Sequence, residues 1–315
     1  MAEPGVPKPG IQPRRLLRWA FGASGVAFLA ISFAATWERS QGWPVPSAPA
    51  IVGGFVLVAV GLLSLARSWS RLFPERERGH RLTAAFFASQ LGRYIPGVIW
   101  QALAQVGLAS EAGSSLTQAS TAFGVFTVAE VAAGGTLGAT LAIAPDGPST
   151  TIRLAAALMV VPAVLLWRRW IAWGLHLLGR ITRRTFADEL IPSQGAIVGS
   201  YAWIVMTLVA NGAAFAVLLA AVQGTDLQAR SVAAFGFAWT VGFLAVPFPS
   251  GLGVREAVLI LATGAPASAV IAASVLHRLI SMGCEVLMIV GSRVAARAGV
   301  GPDADPGPDI GGAGV

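Results

Sequence analysis

Seven ionisable residues lie inside long apolar stretches of the chain, and they are the residues whose types could do chemistry. They are Arg93, Glu130, Arg255, Glu256, His277, Arg278 and Glu285. Burying such groups in hydrocarbon is costly, so they usually face a bundle interior or a watery cavity. The arginines are suited to gripping a phosphate or a carboxylate in two places.

One apolar stretch is broken immediately before Arg255 and Glu256 by the segment Pro247-Phe-Pro-Ser-Gly-Leu-Gly-Val-Arg-Glu256. Its two prolines and two glycines are incompatible with a continuous helix. A helix that starts after such a break presents free backbone N–H groups, which bind anions, and Arg255 adds a full charge. We therefore expect Gly251, Gly253, Arg255 and Glu256 to contribute to a site for a phospholipid phosphate.

A structural explanation of the same residues stays open. Arg255 would pair with Glu285 and Glu256 with Arg278, because ionisable residues inside membranes often pair with one another. The glycines would then only permit close packing. The partners lie on one polar stripe, since Ser274, Arg278, Ser281 and Glu285 follow each other at helical spacing.

A second break, Arg93-Tyr-Ile-Pro-Gly97, interrupts an apolar stretch in the first half of the chain. Paired breaks in corresponding places of two halves indicate the binding site of a transporter. We include Arg93, Tyr94, Pro96 and Gly97 in the candidate site. Glu130 joins them because it lies on a weaker polar stripe of the following apolar segment, with Ser120, Thr127, Gly134 and Gly138.

The elements that must position these residues are transmembrane helices. Hydrophobic residues make up 55% of the chain and charged residues 12%, about half the charged share of a soluble domain. The net charge of +7 comes from arginines beside apolar spans, which favours contacts with lipid headgroups over nucleic acid. Because Cys284 is the only cysteine, no intrachain disulfide can form. We predict no metal site, no cofactor and no enzymatic activity, since neither a metal-ligand cluster nor a catalytic triad is evident.

Six full spans are predicted, at about residues 16–37, 50–66, 116–143, 152–167, 196–222 and 268–292, with broken segments at 82–108 and 231–263. If the broken segments are re-entrant hairpins, every arginine-rich loop and both termini lie on the cytoplasmic side of the cell membrane. The fold is then an all-α inverted repeat of residues 14–151 and 152–298 with oppositely oriented hairpins. Hairpin arms that cross the bilayer fully would place each loop on the same side of the membrane as re-entrant hairpins do. Residues 1–13 and 299–315 are predicted to be disordered tails.

Residues 168–190 are predicted to form an amphipathic segment at the membrane surface. Arg169, His176, Arg180 and Arg183 share one helical face, whereas Trp170, Ile171, Leu175, Leu178 and Ile181 share another. That division is typical of an interfacial helix. The alternative is a solvated basic loop with incidental periodicity.

Three parts of the sequence resemble a known family: Leu91-Gly-Arg-Tyr-Ile-Pro-Gly-Val-Ile-Trp100, the segment Pro247–Glu256 and the pair His277-Arg278. The family is the lysylphosphatidylglycerol synthase transmembrane-region family. The resemblance covers roughly residues 16–295. It implies a stand-alone, flippase-like protein for an anionic phospholipid or a lipid-linked envelope precursor. No counterpart of the family's soluble aminoacyl-transferase domain is expected, which argues against a synthase. Val98 departs from the lysine expected in many members, which implies a different headgroup or lost transport.

The sequence leaves two alternatives to a flippase open. The protein would be a non-transporting scaffold for a glycosyltransferase or lipid-modifying enzyme of the envelope, or an intramembrane enzyme acting on a lipid-linked sugar. A water-filled cavity joining the hairpins favours transport, and a sealed, fully paired charge cluster favours a scaffold. Since no ATP-binding motif is present, transport would be passive or driven by a gradient.

The topology is testable by labelling. Single cysteines placed between residues 168 and 184 of a Cys284→Ser protein should resist a membrane-impermeant maleimide in intact cells and react after permeabilisation. Cysteines in residues 144–151 serve as the control and should react in intact cells. Labelling of the first set from outside would overturn the predicted orientation.

Overall fold

The computed structural model describes residues 46–74, 79–94, 99–143, 148–182, 188–245 and 253–298, which form ten α-helices and no strands. The helices are α1 (Ala48–Arg71), α2 (His80–Ser89), α3 (Ile99–Glu111), α4 (Leu116–Ala139), α5 (Thr150–Leu158), α6 (Arg168–Thr182), α7 (Gln194–Gln223), α8 (Ala229–Leu244), α9 (Val254–Thr263) and α10 (Ala267–Ala298). The first predicted span at 16–37 and both predicted tails lie outside the described residues.

Among the described residues, four helices are long and apolar enough to cross a membrane: α1, α4 with the short 3-10 turn after it, α7 and α10. They correspond to the predicted spans at 50–66, 116–143, 196–222 and 268–292. Large apolar side chains on them point outward, and Val52 and Leu63 of α1 are 61% and 50% exposed. Water would penalise such a surface, whereas lipid tails would not. The protein is therefore all-α, with helices suited to a membrane.

The predicted span at 152–167 differs from expectation because it is not one continuous helix. Helix α5 ends at Leu158 and a 3-10 turn follows at Val161–Leu166. Pro162 has no N–H to donate to the Leu158 carbonyl. The Met159 carbonyl also lies so close to Gly135 of α4 that no side chain would fit there. The chain then bends by 81° into α6, and the bent pair counts as a fifth candidate span.

Both broken segments fold back on themselves. A Cβ added to Gly92 would lie 3.0 Å from the Gln101 Cα, although a straight helix would separate these residues by about 13 Å. At the base of the second hairpin, the Arg230 guanidinium on α8 donates a hydrogen bond to the Thr263 carbonyl at the end of α9. The pairs α2–α3 and α8–α9 are thus antiparallel helical hairpins.

The hairpin arms are short. Helix α3 has 13 residues and α9 has 10, which correspond to about 20 Å and about 15 Å of helix. A hydrocarbon core is about 30 Å thick.

The helix contacts come in matching sets. Helix α1 runs antiparallel to α7, with the Ser68 and Ser200 hydroxyls 2.9 Å apart and the Thr207 hydroxyl donating to the Gly61 carbonyl at 3.1 Å. Helix α4 packs on α8 and on α7, and α10 packs in the same way on α2 and on α1. Likewise α3 contacts α4, and α9 contacts α10. The contacts named here thus occur in corresponding pairs.

Glycines bring α4 and α8 into close contact. Gly134 lies against Thr240 and Gly138 against Phe237, so the helices run antiparallel. A Cβ on Gly138 would lie 3.0 Å from the Phe237 Cα, which is backbone and cannot rotate away. Small residues at such spacing are the usual basis of close helix packing in membranes.

Gly138→Ala should therefore destabilise the protein by about 1–3 kcal/mol, the usual cost of overpacking. The matched control is Gly124→Ala on the same helix, because no atom lies within 4 Å of its Cβ position. The control should be neutral or slightly stabilising, since alanine is the better helix former. Unfolding in detergent measures both, and equal effects would contradict the close contact.

Candidate functional site

The core consists of two apolar clusters, and α10 crosses from one to the other. The first cluster contains Phe86 of the first hairpin and Cys284 of α10. The second contains Phe235 of the second hairpin and Ala273 of α10, while Ile280 packs against both. The polar stripe of α10 therefore lies where the clusters meet. We call this boundary the polar seam, defined by Ser274, His277, Arg278 and Ser281 of α10 with Arg255 and Glu256 of α9.

Glu256 uses its two carboxylate oxygens for two different tasks. One oxygen accepts a hydrogen bond of 2.7 Å from the backbone N–H of Gly253, just before α9 begins. The other accepts from the Arg278 guanidinium at 2.7 Å. Gly253 has a φ of 82°, a conformation that other residues rarely adopt. The predicted pairing of Glu256 with Arg278 is confirmed, and the N-terminus of α9 holds the chain's own carboxylate.

Arg255 points to the other arm of the hairpin. Its guanidinium carbon lies 4.3 Å from the centre of the Phe235 ring on α8, a cation–π contact. The same ring meets the His277 imidazole edge to face, with 5.0 Å between centroids. One aromatic ring thus connects α8, α9 and α10. The predicted pairing of Arg255 with Glu285 stays a prediction.

Two side chains of the seam have polar atoms without a hydrogen-bond partner among the described residues. They are the Ser274 hydroxyl and the His277 Nε2, on residues that are 6% and 4% exposed. Most buried polar atoms in proteins are satisfied, so such atoms call for a water or a ligand. Both lie on the turn of α10 that also carries Arg278.

Both candidate carboxylates outside α9 are buried, Glu130 on α4 and Glu285 on α10. Glu130 precedes Gly134 and Gly138 by one and two helical turns, so it shares their face toward α8. Because α4 and α8 are antiparallel, Glu130 is level with the end of α8, next to the second break.

The structure places only part of the first break. The backbone of Arg93 and Tyr94 belongs to the 3-10 turn that ends the first arm, at Gln90–Tyr94. Their side chains, like Pro96, Gly97 and Gly251, lie outside the described residues. Helix α10 nevertheless contacts both α2 and α9, so one helix adjoins both hairpins.

Sequence analysis missed Phe235, which contacts Arg255 and His277 of the seam. It lies in an apolar run where an aromatic residue carries no distinguishing signal. Gln105 of α3 was also not predicted as part of the site, although it is buried and neither polar atom of its amide has a partner among the described residues.

The seam is suited to binding an anion or a polar headgroup. No three His, Cys, Asp or Glu side chains group as metal ligands in the part of the chain that the structure describes.

No model of a known protein family matches the chain, and a comparison with curated proteins finds no related sequence. The fold is that of an all-α protein whose described residues include four or five apolar helices able to span a membrane.

Glu256→Gln tests the ion pair. The glutamine oxygen can still accept from Gly253, but the charge-assisted bond to Arg278 is lost. Since the Glu256 and Arg278 side chains are 17% and 21% exposed, we expect a loss of about 1.5–3 kcal/mol of stability.

The double variant Glu256→Gln/Arg278→Gln provides the control. It should be more stable than the sum of the single losses, because neither charge is left alone. Strictly additive losses in detergent unfolding would show that the two side chains do not interact.

Proposed function

We propose that the protein is a lipid-flippase-like integral membrane protein that binds the anionic headgroup of a phospholipid or a lipid-linked envelope precursor in the polar seam. The observation that carries the proposal is the meeting of Arg255, Arg278 and the unsatisfied polar atoms of Ser274 and His277 beside a broken helix. Breaks with nearby charge are typical of transporter binding sites.

The inverted repeat is part of this proposal. Helix α1 would correspond to α7, the hairpin α2–α3 to α8–α9, and α4 to α10. The matching contact sets support this, because exchanging corresponding helices maps each contact onto another. The antiparallel course of α1 and α7 also agrees with a repeat of inverted topology.

Re-entrant hairpins that enter from opposite sides complete the architecture. Their support is that α3 and α9 are too short to cross a hydrocarbon core and that each returns beside its own first arm. With both hairpins re-entrant, the positive-inside rule places the two termini in the cytoplasm.

The contacts in the seam favour a particular way of binding. Arg278 is already neutralised by Glu256 through a charge-assisted bond, whereas the Arg255 guanidinium rests on an aromatic ring. A phosphate would therefore engage Arg255, in exchange for contacts that this side chain makes within the protein, and leave the Glu256–Arg278 bond in place. Ser274 and His277 would supply further hydrogen bonds to the headgroup. Such an exchange needs no chemical step, and transport would be passive or gradient-driven.

A non-transporting scaffold for an envelope glycosyltransferase or lipid-modifying enzyme is the second candidate. The Glu256–Arg278 pair favours it, since a satisfied charge pair needs no ligand. The scaffold proposal differs in requiring no role for Arg255 beyond stability.

Arg255→Ala should reduce flipping of fluorescent anionic lipids in proteoliposomes by at least about tenfold, the equivalent of a lost contact of about 1.4 kcal/mol. If the role of Arg255 is to bind lipid, the variant should keep its fold in detergent, whereas breaking a buried ion pair would cost about 3–5 kcal/mol. Arg255→Lys keeps the charge but loses the planar fork, so intermediate transport is expected.

The control is Arg67→Ala, which removes an exposed arginine at the end of α1 and should leave transport unchanged. Normal transport by a stable Arg255→Ala protein would refute the lipid role. Low stability that Glu285→Gln restores would instead establish the structural pair and support the scaffold.

A further inference from the structure

We propose that α6 is a docking surface for an anionic lipid leaflet, on which it lies flat beside the membrane spans. The proposal does not depend on transport. It rests on the geometry of the bend before α6 and on the distribution of side chains around the helix.

The bend before α6 is fixed by hydrogen bonds. The segment Thr150–Leu166 and the helix after it meet at 81°, so a helix following a membrane-crossing segment would lie nearly in the membrane plane. The Gln194 side chain accepts from the Arg168 N–H at 2.7 Å and donates to the Leu166 carbonyl at 3.4 Å. Because Gln194 is the first residue of α7, the bend is attached to the start of the next span.

The side of α6 away from the protein is apolar. Ile171 and Leu175 are partly buried against the protein, whereas Trp170, Trp173 and Leu177 are 48%, 61% and 43% exposed. The two tryptophan rings pack edge to face, 6.3 Å apart. Exposed tryptophans on one side of a helix are typical of the membrane–water interface.

A basic edge runs beside this apolar strip. Arg169, His176 and Arg180 are exposed and share one side of the helix, since they are seven and four residues apart. Helix α6 contains no acidic residue. Cations beside an apolar strip complement the headgroups and acyl chains of an anionic leaflet. The next helix, α7, is itself a candidate span.

The depth of α6 is tested with two adjacent labelled positions in the full chain. Leu177→Cys and His176→Cys, each in a Cys284→Ser background, are coupled to an environment-sensitive fluorophore in nanodiscs. The label at 177 should be quenched by brominated acyl chains and the label at 176 by aqueous iodide. Iodide quenching of both, without quenching by bromolipid, would overturn the proposal and indicate a solvated helix or a protein-docking surface.

The anionic preference is tested by comparing brominated phosphatidylglycerol with brominated phosphatidylcholine as quenchers of the label at 177. Arg169→Gln/Arg180→Gln should lower the preference for the anionic lipid severalfold, since each arginine near an anionic surface contributes a factor of roughly five. The control Arg67→Gln/Arg81→Gln removes the same charge from exposed arginines outside α6 and should retain the preference. Equal effects of the two pairs, or no preference in the parent, would contradict the proposal. A protein that no longer flips lipid but keeps the preference for anionic lipid at position 177 would still support this proposal.

Discussion

The second hairpin depends on the carboxylate of Glu256. A helix that begins inside an apolar segment leaves backbone N–H groups without intrahelical partners, and at membrane depth the protein or water in a cavity must satisfy them. Glu256 accepts from the N–H of Gly253 and neutralises Arg278 with its other oxygen. One side chain thus satisfies the backbone at the break and attaches α9 to α10. Neither task would succeed alone, because a buried carboxylate or arginine without a partner is costly.

The neighbouring Arg255 points to a different helix, because consecutive residues on a helix point about 100° apart. Glu256 faces α10, and Arg255 faces Phe235 on α8. Under the proposed function, a headgroup would engage Arg255 and leave the Glu256–Arg278 bond of the hairpin in place. The proposed site could then release its ligand while the fold persists.

Much of this architecture could be predicted from the sequence, because membrane helices are encoded by long apolar runs and breaks by proline and glycine. The pairing of Glu256 with Arg278 followed from the scarcity of charges in those runs. The break after Leu158 was missed although Pro162 signals it, whereas the close approach of Met159 to Gly135 could not be predicted from the sequence. The contact of Arg255 with Phe235 could not be predicted from the sequence either, because many aromatic residues were equally plausible partners. The distribution of arginines predicts on which side of the membrane each loop lies, whereas helix packing alone does not define the position of the membrane.

The proposed repeat leads to an asymmetric site. In the first half, α4 meets α8 through Gly134 and Gly138, and the helices touch so closely that no space remains between them. The proposed counterpart of α4 is α10, which contacts α2 and α9 and directs His277 and Arg278 to Phe235 and Glu256 of the second hairpin. The glycine contact between α4 and α8 leaves no room for a ligand, whereas the His277 Nε2 on α10 has no partner among the described residues. If a headgroup binds as proposed, its path therefore runs along α10 and not along the α4–α8 contact.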